Sequence, residues 1–147
     1  MIKREMIDTW KMNNIDWMGY ELGENEIFSY HHLVPKREGG KENIDNGSIL
    51  GDKTSHPYIQ LIEIVDYEMF TYITNMLYNI NSQREMPSKQ QLLAIRGVLE
   101  QFEREHCSDR SRKGNLIIKP EYIERRILLK WEKGIKNTKN GLILATL

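Results

Sequence analysis

With one cysteine, Cys107, in 147 residues, the chain can close no internal disulfide and cannot build the four-cysteine zinc knuckle that steadies some small domains. The lone thiol is read as inert. No apolar run approaches the roughly 20 residues that a transmembrane helix needs, so no membrane partner is expected. The opening Met1-Ile2-Lys3-Arg4-Glu5 is charged and lacks the apolar core and small-residue cleavage site of a secretory signal; the expectation is a cytoplasmic protein. There is no internal repeat and no low-complexity tract. Net charge is missing too, with 21 basic against 21 acidic side chains, which at first sight argues against a nucleic-acid binder, because phosphate neutralisation supplies most nonspecific affinity. What is present, 39% hydrophobic and 29% charged residues with a mean hydropathy of -0.59, is ordinary soluble composition and enough for one domain over 1–147.

The charge is polarised. Between positions 110 and 139 ten lysines and arginines, Arg125, Arg126 and Lys130 among them, face only Glu121, Glu124 and Glu132, so that stretch carries about +7 and the remainder about -7. Such a distribution can offer a basic face to a phosphate backbone, and it equally fits a solvated helix.

Apolar spacing predicts a short amphipathic helix over 2–13, then an irregular segment over 15–22 whose Trp17 and Tyr20 belong to the core. Residues 26–34, rich in aromatic and branched side chains and stopped by Pro35, read as a strand with His31 and His32 near its end. Alternation places those two histidines on opposite faces. A polar loop over 36–46 and a second short strand over 47–53 follow. Thr54 or Ser55 caps a helix with Pro57 in its first turn, and Tyr58, Leu61, Ile62, Val65, Met69, Tyr72, Ile73, Met76 and Ile80 keep helical spacing, which predicts one helix to about 80. Ser88 caps a further helix with Leu92, Ile95, Leu99 and Phe102 inward and an exposed His106 at its end. Residues 108–115 read as a linker, 116–118 as a strand, 120 onward as a basic helix, and the apolar tail 142–147 as an edge strand or a contact with another chain.

One combination stands out: Tyr30-His31-His32-Leu33-Val34-Pro35, then Gly39-Gly40, Asn46-Gly47 and Ser55-His56. In residue type, order and expected strand, loop, strand, helix context it resembles the HNH nucleases of the ββα-metal type. The resemblance covers residues 26–66. It implies an HNH-type ββα-metal core; with the N-terminal helix and the mainly helical, basic C-terminal extension over about 88–140 read from spacing and charge, the expected fold class is α+β. The resemblance also implies metal-dependent endonucleolytic cleavage of nucleic acid, with double-stranded DNA as the expected partner. By the same resemblance His32 activates water, His31 and His56 bind the cation, and Asn46 bonds across the loop to hold the base histidine.

The chemistry suits these residue types. An imidazole, with an ordinary pKa of about 6.5, can accept a proton from water at neutral pH and can ligate a divalent cation. His56, Gln60 and Glu63 are spaced four and then three apart, on one helix face. Gln60 occupies the position where an HNH nuclease commonly has a second histidine. Its neutral amide oxygen is a weaker ligand, which favours Mg2+ or Mn2+ over Zn2+, with Glu63 or water completing the shell. Lys36, Arg37 and Lys41 in the loop either meet phosphates or are simply solvated, and Asn46 before Gly47 is equally consistent with a turn. The alternative function is a catalytically weakened module that binds nucleic acid without cutting it.

Overall fold

The computed structural model describes residues 1–110, 116–118 and 142–144. Its architecture is mixed α+β. Helix α1 (Ile2–Trp10) precedes an antiparallel pair of strands, β1 (Phe28–His32) and β2 (Gly47–Gly51). Helices α2 (Ser55–Val65), α3 (Tyr67–Gln83) and α4 (Lys89–His106) follow. The described part ends in a second sheet in which β3 (Cys107–Arg110) pairs antiparallel with β4 (Leu116–Ile118), and β4 pairs parallel with β5 (Leu142–Leu144). Among the described residues no helix is long and apolar enough to cross a membrane.

Helix α1 buries Met6 and Trp10, one helical turn apart, and Trp10 Nε1 donates to the Ile80 carbonyl at 3.2 Å, which ties the N-terminus to α3. Trp17 is fully buried beside Trp10, as expected, whereas Tyr20 is 36% exposed and lies at the margin of the core. The segment that carries them is pinned by Asp16. One of its carboxylate oxygens accepts from the amides of Met18 and Tyr20 and the other from the amide of Gly51 at 2.8 Å. Burial pushes this carboxyl above its ordinary range, and the three amides together with the Ser55 hydroxyl oppose that shift.

Strands β1 and β2 run in unbroken register from Phe28 opposite Gly51 to His32 opposite Gly47. Gly47 is required by packing: a β-carbon there would meet the Tyr30 ring at 2.3 Å and the Met6 sulfur at 2.8 Å. The connection between the strands folds back on itself so closely that a β-carbon on Gly40 would stand 1.7 Å from the Val34 carbonyl oxygen.

The single long helix expected after His56 is two helices. The backbone leaves the helical region at Asp66, whose side chain accepts from the Met69 amide at 3.1 Å and so caps α3. This break changes which positions of the second helix meet the core. The buried stripe of α3 is Phe70, Ile73, Leu77 and Ile80, while Met69 and Met76 are half-buried and Tyr72 is exposed, contrary to the stripe expected from uninterrupted spacing. Thr54 does occupy the capping position of α2, but its hydroxyl donates to a Glu26 carboxylate oxygen at 2.8 Å and accepts from no amide of the helix.

Ser88 and Gln91 form a reciprocal capping box at the start of α4, and Ile95, Leu99 and Phe102 point inward as expected. His106 is buried, not exposed: its Nε2 sits 2.9 Å from an Asp66 carboxylate oxygen, a tertiary pairing that no local helix rule anticipates. The residues expected to begin a linker, 108–110, belong to β3. The expected strand at 116–118 is present as β4, and residues 142–144 of the tail pair with it. The basic helix expected from 120, with Arg125, Arg126 and Lys130, lies outside the described residues.

Candidate functional site

Strand alternation decides how the paired histidines are used. Ser29 and His31 share the face of β1 that meets α2, while Tyr30 and His32 share the other. His31 therefore reaches His56 in the first turn of α2, edge to face, with ring centroids 5.1 Å apart. His32 stands edge-on to Tyr30 at 4.9 Å. Because His32 is the last residue of its strand, both histidines still border one open depression of about 260 Å³, together with Lys36, Arg37, His56, Gln60 and Glu63.

His31 is 8% exposed and its Nε2 is buried with no hydrogen-bond partner. Burial first, then the neighbouring His56 and His32, pull its pKa from 6.5 down to about 3, so the ring is neutral with an available lone pair. The pKa of His56 is lowered as well, chiefly by burial, against the opposing influence of Asp52. Two neutral, closely placed imidazoles, one with an orphaned nitrogen, fit a divalent cation. Gln60, one turn after His56, brings its amide nitrogen within 3.4 Å of His56 Nε2 and is the third donor within reach.

Asn46 works on the backbone. Its Oδ1 accepts from the Val34 amide at 2.8 Å, while its Nδ2 donates to the carbonyls of Val34 and Lys41 at 3.1 and 2.8 Å. The side chain thus spans the loop as expected, and what it grips is the chain two residues beyond His32. A second amide supports it from behind: Asn81 Nδ2 donates to the carbonyls of Ile44 and Gly47, on either side of Asn46.

The loop cations are divided. Lys36 and Arg37 lie on a short 3-10 turn, Lys36–Glu38, at the rim of the depression. Arg37 is exposed and its guanidinium donates to the Glu63 carboxylate, so Glu63, expected as an extra ligand, is paired with Arg37. This pairing raises the pKa of Arg37 further, through the hydrogen bond first. Lys41 is exposed on the strand connection and contributes its carbonyl to Asn46.

Two features escaped the sequence reading. Ser29 Oγ lies 2.7 Å from His56 Nδ1, a contact that the two-residue spacing from His31 on one strand could have suggested. Asp66, Glu105 and His106 also bring ligand-type atoms within 4.8 Å of one another. Asp66 there caps α3 and pairs with His106, which gives the trio a structural explanation. Comparison with models of protein families, with curated proteins and with solved structures gives no match to this chain.

Proposed function

We propose that the chain is a metal-dependent endonuclease of the HNH type that hydrolyses phosphodiester bonds in DNA. The observation that carries this reading is the buried, unpartnered Nε2 of His31, whose ring meets His56 edge to face beside a depression rimmed by Lys36 and Arg37. His31 and His56 would hold the cation, with Gln60 as third ligand; Mg2+ or Mn2+ suits this partly amide donor set better than Zn2+. When bound, the cation supplies charge stabilisation at the phosphate and the leaving oxygen. His32, at the edge of the same depression, takes the proton from the attacking water. Asn46 steadies the chain that follows His32, and Lys36, Arg37 and Lys41 meet phosphates beside the scissile bond, with Arg125, Arg126 and Lys130 adding backbone affinity.

A second reading, a module that binds nucleic acid without cutting, is favoured by one feature: position 60 carries a neutral amide, a weaker ligand than an imidazole. Supercoiled plasmid incubated with the protein and each of Mg2+, Mn2+ and Zn2+ separates the two. Cleavage that chelator stops supports the nuclease. Salt-dependent binding with no cutting in any metal supports the second reading.

A further inference from the structure

We infer that Ser29 is a positioning residue that fixes His56 as its Nδ1–H tautomer and thereby aims the Nε2 lone pair into the depression. The inference rests on the metal-site reading above and adds to it a residue outside the ligand set.

The argument is one of hydrogen counting. A serine hydroxyl carries one hydrogen and two lone pairs. Ser29 Oγ donates to the Leu50 carbonyl at 3.1 Å, directly across the ladder, where the register sets Ser29 opposite Leu50. The Leu50 carbonyl can only accept, so both contacts of Oγ are satisfied together only when Oγ accepts at its 2.7 Å contact with His56 Nδ1. Nδ1 therefore bears the proton. A neutral imidazole has a single N–H, so Nε2 is left with its lone pair. The other end of the ring agrees: the Gln60 amide nitrogen, a donor, lies 3.4 Å from Nε2. Every link in this chain is held by regular structure, since Ser29 and Leu50 belong to paired strands and His56 and Gln60 are one turn apart on α2.

The consequence is preorganisation. A free histidine samples both tautomers and many ring orientations, and a ligand whose far nitrogen is held by a fixed acceptor has already made that choice. Gln60 then acts as a cover that a cation displaces, turning its amide to present oxygen.

The test uses the full chain labelled with 15N at histidine, metal-free in chelator, at a pH well above the ordinary imidazole pKa of about 6.5. Long-range 1H–15N correlation reads the protonated and lone-pair nitrogens of each ring. His56 is expected to show a protonated Nδ1 and a lone-pair Nε2. In Ser29→Ala that pattern should give way to a tautomer mixture, and Ser29→Thr, which keeps a hydroxyl, should restore it. Calorimetry with Zn2+ alone should find affinity about 10- to 100-fold weaker in Ser29→Ala, regained in Ser29→Thr. A protonated Nε2 in the parent protein overturns the inference with no variant needed, as does an unchanged pattern in folded Ser29→Ala. If the tautomer depends on Ser29 while the parent binds no metal, the role of Ser29 stands and the metal-site reading falls.

Discussion

His31 and His56 meet edge to face with centroids 5.1 Å apart, and His56, together with His32, lowers the readiness of His31 to carry charge beyond the effect of burial. The pH dependence of stability follows. The unfolded chain protonates His31 near 6.5, whereas the folded chain holds it neutral down to about 3. Between those values the unfolded state binds the extra proton, so stability is complete above the upper value and is lost as pH falls through the window. One such group changes stability by about 1.4 kcal/mol per pH unit. Urea denaturation of the metal-free protein should show this loss on acidification, and His31→Asn should have a shallower slope. An equal slope in the variant would remove His31 as the source.

Asn46 should matter to loop geometry more than to metal affinity. Asn46→Ala removes three bonds to the backbone of Val34 and Lys41, and a loss of about 1–3 kcal/mol in urea denaturation is expected. Cleavage should fall with it while Zn2+ affinity, read by calorimetry, stays near that of the parent. A large loss of metal affinity would place Asn46 in the wrong role.

The α2–α3 break gives a stability prediction independent of function. Asp66 caps α3 with one oxygen and pairs with His106 through the other, so Asp66→Ala should cost about 2 kcal/mol. Asp66→Asn, which can still cap, should cost less. Equal melting of the two variants would mean that the cap contributes little.

Gln60 is where the site can be strengthened. Replacing it with histidine puts a third imidazole one turn from His56, and Gln60→His should bind Zn2+ about tenfold tighter or more by calorimetry. Unchanged affinity would take position 60 out of the ligand set.

What was legible in the chain and what was not divide along a physical line. The two strands, their connection and the start of α2 are announced locally, by aromatic and branched residues, Pro35, Gly39-Gly40 and Pro57, and strand alternation alone places His31 and His32 on opposite faces. The break at Asp66 was hidden because the apolar spacing runs almost in phase across it; the signal was an acid in capping position before Tyr67-Glu68. The contacts of His106, Ser29 and Glu63 were not legible for another reason. Their partners, Asp66, His56 and Arg37, lie 40, 27 and 26 residues away, and pairing at that range is set by how the elements pack.

The most direct measurement of the central claim is plasmid cleavage in Mg2+ or Mn2+ by the parent protein and by His32→Ala, beside DNA binding by each. The account predicts metal-dependent cutting by the parent that chelator stops, and a variant that binds DNA almost as well and does not cut. A His32→Ala protein that cuts as fast as the parent would contradict it.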